Sequence, residues 1–209
     1  MCHHAGMAAT STGARRGRPR DPEIEDRVYD AAAELYSKAG WSGFRIDAVA
    51  RQCGVGKDAI YRRWPNRVAL LAQVLTARSL YFEDIDTGDT RADLEAMADL
   101  YIAHLTGPYG NMLHQVLVDR LHHAEVREAS DDYYRVLVQA GRRIGRRAVR
   151  RGDVPDSAAA TLMIDLVIGG IQNHIVTTPR ELRPRMRSRL PQFRTALVQA
   201  ALAGVGARL

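Results

Sequence analysis

The side chains best suited to chemistry in this sequence are concentrated in one short stretch, CGVGKDAIYRRWPNR, over residues 53–67. Lys57, Arg62 and Arg63 lie there beside Tyr61, between a glycine-rich turn and Pro65. Lysine and arginine side chains bind phosphate oxygens and the acceptor edge of guanine, and a tyrosine hydroxyl can donate to a phosphate. The stretch therefore indicates binding to nucleic acid rather than catalysis.

Two short helices joined at Gly54 would display these side chains on one surface, as a helix-turn-helix. Apolar spacing predicts helices over 45–52 and 57–64, with Ile60 and Trp64 four residues apart on the inward face. The residues predicted to face outward, or to be small enough for close approach to a groove, are Gly56, Lys57, Asp58, Ala59, Arg62 and Arg63. An aspartate here can accept a hydrogen bond from cytosine. The alternative is a solvated face on which Asp58 and Arg62 form an ordinary ion pair.

The composition fits a soluble protein with an anionic partner. Of the 209 residues, 46% are hydrophobic, which is enough for a sizeable core, and the formal net charge is +6. The two cysteines, Cys2 and Cys53, make neither a disulfide framework nor a metal-binding pair. We find no apolar run of membrane-spanning length and no signal-peptide core. We therefore expect a cytoplasmic protein that requires no metal, no cofactor and no membrane.

The chain is predicted to be all-α and to divide into three parts. Residues 1–21 are a disordered basic arm, 22–70 a three-helix DNA-binding domain that contains the helix-turn-helix, and 71–209 a C-terminal helical domain. The predicted helices cover residues 22–38, 45–52, 57–64, 66–82, 91–105, 109–122, 125–150, 157–177 and 184–203. Gly40 should end the first helix, Asn66 should cap the fourth, and Pro191 should kink or split the last.

The N-terminal arm offers a second contact with nucleic acid. Its stretch RRGRPR contains Arg16 and Arg18 around a glycine, in a core that resembles an AT-hook. A thin cationic strip fits the narrow minor groove of A·T-rich DNA, whose negative potential attracts arginine. Such a contact would raise affinity and salt dependence more than specificity. The alternative is a solubilising tail.

The last two predicted helices carry apolar stripes that are candidates for a dimer interface. Those stripes contain Leu162, Leu166 and Gly169 on one helix and Phe193, Leu197 and Ala201 on the other. They could instead face the core of a single chain, but one chain has few partners for so much apolar helix. Three arginine pairs, at 142–143, 146–147 and 150–151, form a cationic stripe on the preceding helix. Solvation and the helix dipole account for most of that stripe, and contact with DNA or an anionic ligand is the alternative.

The segment over residues 26–71 resembles the DNA-binding domain of TetR-family transcriptional regulators. The resemblance rests on the opening from Ala31 to Gly40, on the turn that contains Gly54, and on the closing pattern with Lys57 and Tyr61. It implies that bases are read by Lys57, Asp58, Ala59 and Arg62, and that phosphates are bound by Tyr61, Arg63 and Arg67. Arg45 stands where the family often has a hydroxyl residue and is a further candidate for phosphate contact.

The resemblance also implies a C-terminal domain that binds a small, largely apolar effector and forms a homodimer through its last two helices. Candidate effector contacts combine apolar walls with polar tips, and are Tyr101, His104, Met112, Gln115, Leu117, Tyr133, Met163 and His174. A twofold dimer would place two recognition helices about 34 Å apart, one turn of double-stranded DNA, so the operator should be roughly palindromic.

We therefore predict a sequence-specific DNA-binding regulator, a ligand-responsive repressor rather than an enzyme. The alternative from another class is a helical small-molecule-binding protein or enzyme whose basic segment is incidental. Salt-dependent binding to duplex DNA separates the two, because phosphate contacts release counterions.

Overall fold

The computed structural model describes residues 22–78 and 84–208, and within these ranges the chain forms helices and loops without a strand. The helices are α1 (Pro22–Gly43), α2 (Ile46–Cys53), α3 (Lys57–Tyr61), α4 (Arg67–Arg78), α5 (Thr90–Thr106), α6 (Gly110–His122), α7 (Ala124–Arg151), α8 (Ser157–Thr177) and α9 (Arg183–Gly204). A 3-10 turn, Arg180–Leu182, precedes α9. The all-α prediction is confirmed. The predicted arm over 1–21, with Arg16 and Arg18, lies outside the described residues.

The predicted cap residues act at Gly54 and Asn66, and the structure differs from the prediction at three other places. Gly54 caps α2 in the left-handed conformation (φ 67°), and the Asn66 side chain accepts a hydrogen bond from the Ala69 amide at 2.9 Å. Gly40 interrupts α1 rather than ending it, because helical turns resume as far as Gly43. The third helix ends at Tyr61, earlier than predicted, and residues 62–63 form a turn that leads to Trp64 and Pro65. Pro191 lies inside a continuous α9.

A first hydrophobic core joins the helix-turn-helix to the middle of the chain. Ile60 and Trp64 are buried there with the side chains of α1 and α4, as the four-residue spacing predicted. The same core also takes in Met112 and Val116 from α6 and Val126 from α7. The predicted domain boundary at residue 70 falls within α4, whose buried residues belong to this first core.

A second core lies between α5, α7, α8 and α9, around Leu94, Ile144, Val167 and Val198. Contrary to the sequence prediction, α8 is long and apolar enough to cross a membrane by length and composition, with a mean hydropathy of 1.4. Only 22% of its apolar window is buried within one chain. Much of this apolar helix is therefore left uncovered by the rest of the described chain.

The loop over residues 84–89 is bound to α7 by charged side chains. Arg147 donates to the Asp84 carboxylate at 2.9 Å and also to the Ile85 carbonyl. Arg151 forms ion pairs with the fully buried Asp93 at 3.2 Å and with Asp153 at 3.0 Å. A buried carboxylate needs such partners, because desolvation penalises the charged form. These contacts hold the start of α5 against the C-terminal half of α7.

Gly40 generates a prediction about stability. It has φ 57° and ψ −166°, a region that is essentially restricted to glycine, and an added Cβ would lie 3.2 Å from the Asp119 carboxylate. We expect Gly40→Ala to lower the free energy of unfolding by about 1–3 kcal/mol, measured by urea denaturation. Gly204→Ala is the control, because its Cβ would meet no atom within 4 Å. Equal stability of the two variants would show that the Gly40 conformation carries no strain for alanine.

Candidate functional site

The exposed side of α3 is the candidate surface for nucleic acid. Ile60 and Trp64 fix the helix from beneath, at 0% and 3% exposure. Lys57, Asp58, Tyr61 and Arg62 are exposed on the opposite side, and Ala59 is half-buried between them. An added Cβ at Gly56 would meet no atom within 4 Å, so the backbone at the start of α3 is open to an approaching groove.

Lys57 is bound to the preceding helix in this structure. Its ammonium group lies 2.9 Å from the Asp47 carboxylate and 5.7 Å from the centre of the Tyr61 ring. The hydrogen bond with Asp47 raises the pKa of Lys57, so the side chain stays charged. Both partners are about half exposed, and exposed ion pairs are weak enough to be exchanged for a phosphate or a base. Asp58 and Arg62, the ion pair considered from the sequence, form no bridge with each other in the described chain.

Two of the predicted phosphate contacts are partly engaged inside the protein. Arg63 donates to the Ala59 carbonyl at 3.2 Å and lies 3.8 Å from the Glu25 carboxylate. Arg67 stacks on the Trp41 ring at 3.8 Å and donates to the Trp41 carbonyl at 3.1 Å. Both arginines are therefore only partly free, whereas Arg45 is exposed at the start of α2.

Trp41 is the centre of a junction between the helix-turn-helix and the C-terminal helices. Its backbone amide donates to the Asp119 carboxylate at 2.8 Å, and its indole donates to Glu125 at 3.0 Å. Glu125 also lies 3.4 Å from Arg67. Gln115, predicted to bind an effector, donates to Asp119 at 3.0 Å. It belongs to this junction, and the sequence reasoning missed the junction itself.

A cavity of about 960 Å³ lies between α5, α7 and α8. Its apolar wall includes Met97, Ile144, Ile164 and Ile168. Its remaining lining residues are Asp84, Ile85, Tyr101, Tyr134, Leu137, Val138, Ala140, Gly141, Arg142, Arg143, Gly145, Arg146, Val149, Arg150, Ser157, Ala158, Ala160, Thr161, Asp165 and Gln172. Its size is at the upper end of pockets that hold small molecules.

Among the predicted effector contacts, Tyr101 lines this cavity. Its hydroxyl donates to Gln172 at 2.7 Å, and burial raises the pKa of Tyr101 to about 12, so the phenol is neutral at physiological pH. Gln172 was missed from the sequence, where a single amide on an apolar helix gives no signal. The cavity arginines were visible as a repeated doublet, but the repeat alone did not indicate a pocket.

The other predicted effector contacts lie outside the lining of this cavity. Met112 and Met163 are fully buried in the first and second cores. His104 and Tyr133 bond each other at 2.9 Å away from the cavity lining. Leu117 is half-buried on α6, and His174 stacks on Phe193 with 3.9 Å between ring centres.

The predicted dimer stripe on α8 is exposed, with Leu162 and Leu166 at 51% and 41%. Gly169 on the same stripe has open space beyond its Cα. On α9, the half-buried Phe193 and Leu197 pack within the chain against His174 and Gly170. Ala201 is 2% exposed in the second core, so it has almost no surface left for a partner.

Fold and surface together define a helix-turn-helix DNA-binding protein with a separate helical domain. Comparison with known proteins identifies the family to which the chain belongs. Residues 28–74 match the family of bacterial regulatory proteins named tetR, and residues 84–203 match the tetracyclin repressor-like C-terminal domain. The chain therefore belongs to the TetR family of transcriptional regulators, and its role is regulation of transcription rather than catalysis.

Individual relatives agree with this assignment. The HTH-type transcriptional regulator AqdR of Rhodococcus erythropolis is 30% identical over 175 residues, which cover 83% of this chain and 80% of that protein. The fold is similar to that of the regulator FadR from Bacillus subtilis in complex with stearoyl-CoA, with a TM-score of 0.69, 17% identity and coverage of 86% and 98%. A regulator from Saccharomonospora viridis in complex with choline has a TM-score of 0.59, 20% identity and coverage of 83% and 96%.

His104 generates a prediction about pH dependence. Burial lowers the pKa of His104 to about 4, below its ordinary value of 6.5, so the unfolded chain binds the extra proton between these two values. The stability that depends on this group is therefore fully present above pH 6.5 and declines as the pH falls towards 4.

For His104 alone, we expect a loss of about 2 kcal/mol between pH 7.5 and pH 5. His104→Gln should remove this part of the pH dependence, measured as the free energy of unfolding in urea at both pH values. His122→Gln, at an exposed histidine on α6, is the control and should keep it. If His104→Gln retained the wild-type pH dependence, His104 would not be the responsible group.

Proposed function

We propose that this chain is a ligand-responsive repressor that acts as a homodimer on a palindromic operator. The proposal rests on the exposed face of α3. Cationic side chains there surround the small residues Gly56 and Ala59, and the buried Ile60 and Trp64 lie beneath them. A recognition helix needs both features, since its outer side chains must reach base edges while the core holds its angle. A bacterial protein with this role works in the cytoplasm.

The DNA contacts follow from position on α3. Lys57, Asp58 and Arg62 are exposed and point away from the core, so they are proposed to read base edges, with Ala59 providing close approach. Tyr61 and Arg45 are proposed to bind phosphates from the margins of that surface. Arg63 and Arg67 are proposed to join them after exchanging their internal contacts. Arg16 and Arg18 are proposed to enter the adjacent minor groove.

The exposed stripe of α8 is proposed to form the homodimer interface. Leu162, Leu166 and Gly169 lie on one side of a helix that is mostly uncovered within the chain. Phe193 and Leu197 of α9 flank it, whereas Ala201 supports the interface from the core. Contiguous apolar surface of this kind on a soluble protein marks an interaction site.

The cavity between α5, α7 and α8 is proposed to bind the effector. Bound ligand would change the spacing of the two recognition helices and so weaken DNA binding, and DNA would weaken ligand binding by the same factor. Solved relatives of this fold hold stearoyl-CoA and choline, two ligands of different chemistry. Because proteins of this fold hold ligands of different chemistry, the effector class depends on the side chains of each protein and not on the fold.

The DNA-binding proposal is tested by selecting bound duplexes from a random library with the full chain. We expect a palindrome to be recovered. Lys57→Ala should relax the sequence preference and cost about 1–3 kcal/mol in binding at the affected base pair. Tyr61→Phe should weaken binding uniformly, since a phosphate contact carries no sequence information. Arg187→Ala, at an exposed arginine of α9, is the control. Absence of any enriched sequence at low salt would contradict the proposal.

The interface proposal is tested by placing a charge on the α8 stripe. Leu166→Glu should convert the dimer to a monomer, because an unpaired carboxylate would be buried between two apolar helices. The mass in solution is measured by light scattering after gel filtration. Leu121→Glu is the matched control, since Leu121 is a leucine of α6 with 68% exposure. A Leu166→Glu protein that remained dimeric would place the interface on another surface.

A further inference from the structure

The C-terminal half of α7 carries six arginines in three doublets, and the two members of each doublet have different surroundings. The second member is always paired. Arg143 lies 3.3 Å from Asp84, Arg147 lies 2.9 Å from the same carboxylate, and Arg151 binds Asp93 and Asp153. The hydrogen bond from Arg147 keeps the pKa of Asp84 below its usual value. These three arginines are therefore accounted for by the fold, as clamps on the loop over 84–89.

The first members, Arg142, Arg146 and Arg150, have no such explanation. Each is exposed and lines the cavity, and none forms a hydrogen bond or ion pair with another described residue. Residues at i and i+4 on a helix are neighbours, so the three cations form one row. Solvation and the dipole at the C-terminal end of α7 favour these cations, but no carboxylate of the described chain pairs with them, so their guanidinium groups remain available to a ligand.

The cavity is cationic along this row and apolar at its inner wall. Met97, Ile144, Ile164 and Ile168 make the wall apolar, while the hydrogen-bonded pair of Tyr101 and Gln172 supplies a neutral polar point. The lining carboxylates are Asp84, which is already paired, and Asp165 on α8. The arginines outnumber these carboxylates, so the site as a whole attracts negative charge.

We propose that this cavity binds an amphipathic organic anion. A carboxylate or phosphate group lies against Arg142, Arg146 and Arg150, and the apolar body lies against α5 and α8. Arginine suits both head groups because its planar guanidinium donates two parallel hydrogen bonds. The proposal names the effector class for the proposed regulator and rests on that function only for its regulatory consequence, since the binding chemistry follows from the cavity itself.

The test compares four probes that share one apolar chain and differ in head group. Decanoate, decyl phosphate, decanol and decyltrimethylammonium are titrated below their micelle concentrations into the full-length protein, by calorimetry. We expect both anions to bind at least about tenfold more tightly than the alcohol, and the cation to bind worst. Comparison of decanoate with decyl phosphate distinguishes the two head groups. Affinity for the preferred anion should fall with added salt.

Two arginine variants test whether the head group of the anion contacts this row. Arg146→Gln should weaken the preferred anion about tenfold and leave decanol unchanged. Arg135→Gln is the matched control, an exposed arginine of the same helix that pairs with Asp132 and lies outside the cavity lining. Circular dichroism confirms that both variants remain folded. Equal binding of anion and alcohol, equal effects of the two variants, or no binding of any probe would overturn the proposal.

The regulatory role is tested separately, with the selected operator and the preferred anion. Anion binding without a change in operator affinity would support the cavity assignment and reject ligand response for this protein. Operator binding without anion binding would reject the cavity assignment and leave the DNA-binding regulator intact. The two failures therefore give different results.

Discussion

The contacts of Trp41 connect the DNA-binding helices to the rest of the protein, and the arrangement of both parts depends on them. The backbone turn at Gly40 brings the Trp41 amide to Asp119 of α6, and the indole reaches Glu125 of α7. Arg67 covers the ring at 3.8 Å and also contacts Glu125. Trp41 is 3% exposed, whereas the Arg67 and Glu125 side chains remain 32% and 54% exposed, so the ring is buried beneath a partly solvated ion pair. The first turn of α7 and the start of α4 are thereby tied to the same side chain.

The helix α7 serves three parts of the molecule in succession. Its first turn contacts Trp41 through Glu125, its middle packs in the second core at Ile144, and its last turns carry the arginine doublets. A rigid helix cannot change at one end without affecting its other contacts, because packed interfaces have discrete arrangements. A ligand at the arginine row thus has a physical route to the helix-turn-helix. Through Asp84, two other arginines of this helix, Arg143 and Arg147, hold the loop that leads into α5.

The sequence was informative wherever a local rule decides the structure. Glycine at 54, asparagine at 66 and the four-residue spacing of Ile60 and Trp64 each act through neighbouring residues, so the helix-turn-helix could be predicted before its packing was known. Pro191 shows the limit of such rules, since α9 continues through it. A long helix packed along α5 and α8 can tolerate one missing hydrogen bond when its side chains remain buried.

The cavity could not be predicted in the same way. Met112, Met163 and Tyr101 all lie on apolar helix faces, and periodicity identifies a face without showing what lies opposite. Met112 and Met163 are enclosed within the two cores, while Tyr101, which also belongs to the second core, reaches the cavity. The difference arises from how α5, α7 and α8 diverge, which is a property of their tertiary arrangement. The arginine doublets indicated a binding site only once the structure showed that the second arginine of each doublet is paired and the first is not.

In the proposed homodimer, the exposed surface of α8 would link dimer formation to DNA recognition. A single chain leaves Leu162 and Leu166 half exposed, and a helix this apolar gains free energy when a partner covers it. One short recognition helix such as α3 offers few base contacts, so specificity requires a second copy at a fixed distance. If α8 forms the proposed interface, the apolar surface that favours dimer formation also sets this distance. In that proposed dimer, a ligand that altered the packing of α7 on α8 would act on the helix that fixes the spacing, so a cavity between these two helices would be well situated to control binding to DNA.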